Sequence, residues 1–222
     1  MDQMSFWEQI YRNADRDRLL GAQSAYRDAQ IEEIGIFRDA GVRTVCDAGC
    51  GIGAYTLALA ENGFCVKAFD LSESAVRFAR EGLARFGYDV EFRIANILCT
   101  GYEDGAFDGA FAHSVLDHMT RADAALARNE LCRIVRPDGL ILLSFDAPDE
   151  DDKAQPHTHL PDGSILYTGG SRSGMILHPY DREGIRNLVR GFPIVHESVN
   201  PKGEQIVIFV NRSQAPENAS PM

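Results

Sequence analysis

The stretch that most constrains this chain is VCDAGCGIGAYT, residues 45–56, in which three glycines at alternate positions directly follow a short apolar run. A helical pattern begins at about Ala54, so the stretch predicts a strand, a loop and a helix in succession. Such a loop presents free backbone N–H groups at the start of a helix. Gly49, Gly51 and Gly53 leave room for a ligand to approach the main chain. The stretch therefore predicts a loop that binds a ligand with an acceptor or negatively charged group.

Strand and helix patterns alternate on both sides of this loop. Apolar runs predict five strands, at 43–48, 64–70, 89–95, 107–113 and 139–145. Periodic apolar positions predict helices at 54–62, 72–86 and 120–135. Ser72 is a plausible N-cap of the second helix, and the turn RPDG at 136–139 is expected to end the third. Alternation of this kind, with nearly continuous apolar strands, predicts a parallel sheet covered by helices on both faces.

The two ends of the chain depart from the alternation. Residues 1–40 are predicted to form an N-terminal helical cap, and residues 41–210 the main domain. Within that domain, the polar and turn-rich residues 146–178 are predicted to form a lid-like insertion with two short strand-like pieces, SILYT and MILH. The tail, 211–222, is polar and is predicted to be disordered.

A helix and a hairpin are predicted to complete the domain. The helical pattern covers 181–190, with Asp181 as its N-cap. The apolar segments PIVHESV and EQIVIFV follow, separated by the turn signal NPKG, and they predict an antiparallel pair of strands.

Composition limits the classes of partner. The 222 residues carry a formal net charge of −11, which disfavours nucleic acids and anionic membranes as partners. The first residues resemble no signal peptide and no apolar run is long enough to span a bilayer, so we expect a cytoplasmic monomer or homodimer. Five cysteines show no metal-ligand spacing, and we expect no metal.

An acid closes the second predicted strand. Asp70 lies 21 residues beyond Gly49, and in a parallel sheet its carboxylate would reach the same edge as the glycine loop. There it can accept hydrogen bonds from both hydroxyls of a ribose. The alternative role is a solvent-facing acid ahead of a helix.

Two ligand classes fit this arrangement. Gly49-x-Gly51-x-x-Ala54 satisfies a loose dinucleotide-binding pattern, which would suit a nicotinamide-dependent oxidoreductase. Asp47 counts against it, because a carboxylate before the loop would repel a pyrophosphate and favour a cationic ligand. The terminal hairpin also replaces the second half expected of a dinucleotide fold.

Four segments together resemble the class I S-adenosylmethionine-dependent methyltransferases. VCDAGCGIG resembles the first motif of that family, and FDLSESAVRFAR resembles the second. FDGAFAHSVLDHM resembles the fourth-strand motif, and LCRIVRPDGLILLS the helix, turn and strand that follow. The resemblance implies a Rossmann-like α/β fold with a seven-stranded sheet in the order 3-2-1-4-5-7-6, strand 7 being antiparallel.

The resemblance also implies a cofactor site for S-adenosylmethionine, with S-adenosylhomocysteine as product. Asp47 and the glycine loop would face the cationic methionine end, Asp70 the ribose and Leu71 the adenine. Asn96 stands where the family commonly has an acid, and its carbonyl can still accept from the adenine amine. The implied cofactor-binding residues are Asp47, Gly49, Cys50, Gly51, Gly53, Asp70, Leu71, Ser72, Asn96, Ile97, His113 and His118.

The chemistry leaves the catalytic group open. Methyl transfer from a sulfonium requires alignment and exclusion of water, and a general base only for some nucleophiles. His113 and His118 flank the end of the fourth strand. His118 belongs to the V-L-D-H pattern and is expected to line the cofactor pocket, whereas His113 is a candidate base.

Other aromatic and histidine residues are candidates for covering the site. The substrate-lid candidates are Trp7, Tyr11, Tyr26, His157, His159, Tyr167, His178 and Tyr180. The alternative role of the aromatic residues is core packing. His157 and His159 share one side of a strand but lack a third metal ligand, and the acidic run 149–152 is either a solvated loop or a selector of cationic substrates.

We therefore expect a methyltransferase acting on O, N or S of a small-molecule acceptor. The alternatives are the nicotinamide-dependent oxidoreductase and a non-catalytic module that binds S-adenosylmethionine to control a partner.

Overall fold

Three helices precede the sheet in the computed structural model, which describes residues 3–26, 31–146, 154–200 and 203–212. They are α1 (Gln3–Asn13), α2 (Arg16–Ser24) and α3 (Glu32–Asp39). Asp15 caps α2, because its side chain accepts a hydrogen bond from the N–H of Arg18. The helical pattern of the first 40 residues is therefore divided into short pieces.

The alternating part of the chain contains five strands and three helices. The strands are β1 (Thr44–Ala48), β2 (Cys65–Asp70), β3 (Glu91–Ile94), β4 (Phe107–Ala112) and β5 (Val135–Phe145). The helices are α4 (Ala54–Glu61), α5 (Glu73–Arg85) and α6 (Arg121–Ile134). Ser72 caps α5 as predicted, and its side chain accepts from the N–H of Ala75.

The predicted turn RPDG is a bulge inside β5 instead. Val135 pairs with Phe107 and Leu140 with Gly109, so residues 136–139 lie opposite a single residue of β4. The side chain of Asn211 donates to the carbonyl oxygens of Val135 at 2.6 Å and of Arg136 at 3.3 Å, and these hydrogen bonds tie the bulge to the residue that follows the last strand. Residues that are typical of a turn therefore form a bulge within a paired strand here.

The insertion forms a small sheet of its own. Its strands β6 (His157–His159), β7 (Ile165–Tyr167) and β8 (Ile176–Leu177) pair antiparallel in that order. Two of them correspond to the predicted pieces SILYT and MILH. Residues 147–153, which include the acidic run 149–152, lie outside the described residues.

The last elements complete the main sheet. Helix α7 (Arg182–Leu188) begins after the predicted cap Asp181 and is followed by β9 (Ile194–Val199) and β10 (Gln205–Val210). The strand order is β3-β2-β1-β4-β5-β10-β9, with β10 antiparallel to both neighbours. Because β9 and β10 are the sixth and seventh strands of this sheet, the predicted order and its antiparallel strand are confirmed. Most of the predicted tail, 213–222, lies outside the described residues.

Alternate residues of the central strands enter two different cores. On β4, Ala110 and Ala112 pack with α6 and α7, whereas Phe111 packs with α3 and α4. This division follows from the period of two in a strand, and it buries both faces of the sheet. Because helices cover both faces, we expect a ligand to bind at the edge formed by the carboxyl ends of the parallel strands. No helix in the described ranges is both long and apolar enough to cross a membrane.

Candidate active site

The glycine loop and the end of β2 meet at one edge of the sheet. The Asp70 carboxylate accepts a hydrogen bond from the N–H of Gly51 and another from the N–H of Ser72, both at 2.9 Å. Burial raises the pKa of Asp70, although these hydrogen bonds oppose the shift. Asp70 therefore joins the glycine loop to the start of α5.

All three glycines of the loop have positive φ and close contacts that a side chain would disturb. Gly49 has φ +72°, and a Cβ atom there would lie 2.6 Å from a methyl group of Val115. Gly51 has φ +52°, and its Cβ would lie 2.7 Å from the hydroxyl of Tyr11. The loop therefore faces α1 and the segment after β4.

Gly53 lies at a close contact between two helices. Its N–H donates to the carbonyl oxygen of Cys50 at 2.8 Å, and its predicted contact with the cofactor stays a prediction. A Cβ atom at this position would lie 2.9 Å from the Cβ of Ala79 and 3.1 Å from Leu83. Gly53 thus permits close packing of α4 against α5.

Asp47 is buried beneath the loop. It is 2% exposed and accepts a short hydrogen bond from the hydroxyl of Thr56. Burial raises its pKa to about 6, and the Thr56 hydrogen bond and the charge of His113 reduce the shift. The predicted contact of Asp47 with a methionine group stays a prediction.

A cavity of about 150 Å³ opens beside the loop. Eight of the predicted residues line it: Trp7, Tyr11, Gly49, Asp70, Leu71, Asn96, Ile97 and His118. Seven other lining residues were not predicted: Phe69, Ala95, Leu98, Ser114, Val115, Met119 and Asp123. Most of these seven residues are adjacent in sequence to predicted ones. Their position at or just after the ends of β2, β3 and β4 could therefore have predicted them.

The side chain of Asn96 forms a hydrogen bond within the loop that follows β3. Its side-chain oxygen accepts a hydrogen bond from the N–H of Leu98 at 2.9 Å. An amide oxygen has a second lone pair, so it can accept another hydrogen bond. Asn96 and Leu71 both line the cavity, as an adenine site there would require.

Helix α1 forms one wall of the cavity. The indole ring of Trp7 lies edge-on to His118, with 4.8 Å between ring centroids, and is stacked with Tyr11 at 6.3 Å. Burial and the nearby Asp70 raise the pKa of the Tyr11 hydroxyl, which stays neutral at physiological pH. Trp7 and Tyr11 thus line the cavity, and the hydroxyl of Tyr11 also lies next to Gly51.

Glu8 fastens α1 to the start of α5. Its carboxylate accepts hydrogen bonds from the hydroxyl groups of Ser72 and Ser74, both at 2.7 Å, and from the N–H of Ser74 at 3.1 Å. Burial opposes ionisation of Glu8, but these hydrogen bonds outweigh it and lower the pKa to about 2. The positive end of the α5 dipole also favours a carboxylate here.

The same helix is joined to the insertion by an apolar cluster. Phe6 packs with Tyr167, Met175 and Leu177, each at most 3% exposed. Tyr167, a predicted lid residue, is therefore part of the core between α1 and the insertion. The two segments predicted as lids are therefore joined to each other, and their role as lids stays a prediction.

His113 lies beside a carboxylate that sequence reasoning missed. Its Nε2 atom is 2.7 Å from Oε1 of Glu204, in an approach too oblique for an aligned hydrogen bond. The imidazole ring also lies 4.0 Å from the ring of Tyr55. Burial opposes ionisation of Glu204, but contact with His113 and hydrogen bonds from Ser144 and Asn200 hold its pKa below the usual value.

Six of the eight predicted lid residues lie away from the lining of the cavity, namely Tyr26, His157, His159, Tyr167, His178 and Tyr180. The ring of Tyr26 is 5.0 Å from that of Tyr55, near His113. His157 and His159 are exposed on β6, with ring centroids 5.4 Å apart. Tyr180 is 8% exposed and packs on Phe145.

His178 supports the turn at the end of the insertion. The Nδ1 atom of its imidazole ring lies 3.1 Å from the hydroxyl of Ser164. Its backbone N–H donates to the backbone carbonyl oxygen of Asp117 at 2.6 Å. Burial lowers the pKa of the imidazole, and the nearby carboxylate of Asp162 opposes that shift. Its predicted contact with a substrate stays a prediction.

Comparison with known proteins agrees with this geometry. A family model described as a methyltransferase domain matches residues 45–139. The chain is 30% identical over 141 residues to phosphoethanolamine N-methyltransferase 3 of Arabidopsis thaliana, an alignment that covers 63% of this chain and 26% of the relative. It is 32% identical over 128 residues to malonyl-[acyl-carrier protein] O-methyltransferase of Serratia marcescens, which covers 58% and 42%. The chain thus spans less than half the length of these relatives.

A solved structure extends the similarity to nearly the whole chain. Magnesium protoporphyrin IX methyltransferase from Synechocystis PCC 6803, with bound S-adenosylmethionine, superimposes with a TM-score of 0.64 at 20% identity. The match covers 96% of this chain and 98% of that one. Residues 45–139 thus match a methyltransferase domain, and the strand order of the main sheet is that of the Rossmann-like methyltransferase fold.

Proposed function

We propose that the protein transfers a methyl group from S-adenosylmethionine to an oxygen, nitrogen or sulfur atom of a small molecule. The observation that carries this proposal is the cavity itself, which lies between the glycine loop, Asp70 and the segments after β3 and β4. Asp70 would hold the ribose, while Asn96 and Leu71 would contact the adenine. No separate pyrophosphate site is needed for this ligand.

The contacts around His113 favour a hydroxyl as the acceptor group. A hydroxyl needs a base as it attacks the methyl group, whereas a thiolate or neutral amine does not. His113 follows β4 at the edge that carries the cofactor loop, and Glu204 lies against its Nε2. In this proposal His113 accepts the hydroxyl proton as the oxygen–methyl bond forms and the sulfur–methyl bond breaks, and Glu204 is a positioning residue.

Calorimetric titration tests the cofactor site. S-adenosylmethionine should bind wild-type protein, and Asp70→Asn should weaken binding at least about tenfold, because a charge-assisted acceptor for the ribose is lost. Asp89→Asn, which removes the same charge from an exposed position, should bind normally. Equal affinity in Asp70→Asn, or binding of NAD but not of S-adenosylmethionine, would contradict the proposal.

Turnover tests the acceptor chemistry. Methyl-labelled S-adenosylmethionine is incubated with mixtures of phenols, carboxylic acids, amines and thiols, and labelled products are separated. Hydroxyl methylation is expected, with a fall in kcat of about 100-fold in His113→Gln and less than twofold in the exposed control His159→Gln. Methylation of amines or thiols alone would refute the hydroxyl assignment, and tight binding without turnover would favour the non-catalytic module.

A further inference from the structure

Three potential metal ligands converge beside the cofactor cavity. Asp117 and His118 lie in a short 3₁₀ helix after β4, and Asp146 follows the end of β5. One ligand atom from each side chain lies within 4.8 Å of the other two. Such separations suit donors around a single divalent cation. The proposed methyl transfer assigns no chemical step to this group, although His118 also lines the cofactor cavity.

Asp117 carries the strongest indication of a bound cation. It is 0% exposed, and its Oδ1 atom has no hydrogen-bond partner within the described ranges. Its Oδ2 atom accepts from the N–H of Asp146 at 2.9 Å. A buried carboxylate oxygen without a partner is costly. Because the ligand atoms of His118 and Asp146 also converge here, a cation would supply the missing partner.

The surrounding backbone holds the ligands in place. The carbonyl oxygen of Asp117 accepts from the N–H of His178 at 2.6 Å. Nδ1 of His118 lies 3.4 Å from the carbonyl oxygen of Ile176, the kind of contact that fixes the orientation of a ligating imidazole. The ring of Trp7 packs edge-on against His118. The group is therefore oriented by β8, by the residue after it and by α1.

We propose that Asp117, His118 and Asp146 bind one divalent cation of the Mn²⁺ or Mg²⁺ class. Two carboxylates and one imidazole form a donor set that suits such hard or intermediate ions. Three protein ligands would leave positions for water or for an oxygen donor of the acceptor molecule. This goes beyond the proposed function, and it departs from the expectation of no metal, which was based on the cysteine spacing and on the pair His157 and His159. The three ligands proposed here come from two separate loops, so no local spacing in the sequence indicates them.

Direct binding of Mn²⁺ tests this proposal without any enzymatic readout. Wild-type protein, freed of metal with a chelator, is titrated with Mn²⁺ while free Mn²⁺ is followed by electron paramagnetic resonance and Trp7 by fluorescence. One equivalent should bind and quench the emission, because the Trp7 ring lies 4.8 Å from His118. Trp7 is the single tryptophan, so the quenching has one source.

Variants locate the ion. Asp146→Asn, at an exposed side chain, and Asp117→Asn should each weaken Mn²⁺ binding at least tenfold, whereas the exposed control Asp39→Asn should stay within twofold of wild type. If Asp117→Asn fails to fold, Asp146→Asn decides alone. Absence of binding by wild-type protein, unchanged affinity in Asp146→Asn, or binding without quenching of Trp7 would overturn the proposal.

Discussion

Replacing Glu8 with glutamine should release α1 from the cofactor cavity. The pKa of Glu8 falls from 4.5 to about 2 in the folded protein, so its ionised form favours the docked helix by about 3 kcal/mol at most. Because the side chain is 21% exposed, solvent screening reduces this to about 2 kcal/mol. Glu8→Gln should therefore increase the undocked fraction of α1 about 30-fold.

The pH dependence follows from the sign of the shift. A lowered carboxyl pKa contributes stability above pH 4.5, and that contribution is lost as the pH falls towards 2. In wild-type protein, Trp7 should become accessible across this interval. In Glu8→Gln, Trp7 should be more accessible already at pH 7. Lowering the pH further should then change its accessibility little through residue 8, because glutamine does not titrate.

Trp7 fluorescence measures the effect directly, since it reports on α1 alone. Acrylamide quenching and the emission maximum would be recorded from about pH 8 to about pH 2, with far-ultraviolet circular dichroism to exclude global unfolding. Glu73→Gln is the matched control, because Glu73 is exposed in the first turn of α5. Equal protection of Trp7 in Glu8→Gln and wild type, or an equal effect of Glu73→Gln, would refute the reasoning.

Two further substitutions test the buried parts of the loop. The pKa of Asp47 is raised to about 6 in the folded protein, so ionising this side chain costs stability as the pH rises through that value. Asp47→Asn removes this cost. The variant should therefore stabilise the ligand-free protein by roughly 2–3 kcal/mol at pH 8 and hardly at pH 4. Denaturant unfolding at both pH values measures this, and a variant no more stable than wild type at pH 8 would contradict it. Gly53→Ala should cost about 1–3 kcal/mol more than Gly63→Ala, since both glycines have positive φ but only Gly53 faces Ala79, while no atom of the described residues lies within 4 Å of a Cβ at Gly63. Equal melting temperatures of these two variants would show that the contact with Ala79 is unimportant.

Much of the fold could be predicted because its signals are local. Apolar runs marked the strands of the main sheet, and Ser72 and Asp181 marked the starts of two helices. The bulge in β5 could not be predicted from RPDG, because the same residues form a free turn unless a neighbouring strand pairs with them. The pairing partner is β4, and a further contact comes from Asn211, whose side chain donates to the carbonyl oxygen of Arg136, 75 residues earlier in the chain.

The cofactor edge was predictable to the same extent. Gly51 follows β1 and Asp70 ends the adjacent parallel strand β2, so the topology alone brings them together. Gly53 satisfied the same glycine pattern, yet Ala79 occupies the space in front of it. Spacing along the chain predicts which backbone atoms share an edge, but not which of them face a ligand.

The sequence by itself determined the order of strands and helices, the glycine loop and the acid at the end of β2, since each depends on a few consecutive residues. Only the tertiary structure decided that Glu8 reaches Ser72 and that Glu204 reaches His113. These partners lie more than 60 residues apart in the chain. Their contact depends on strand order, helix packing and loop path together, so no local pattern in the sequence encodes it.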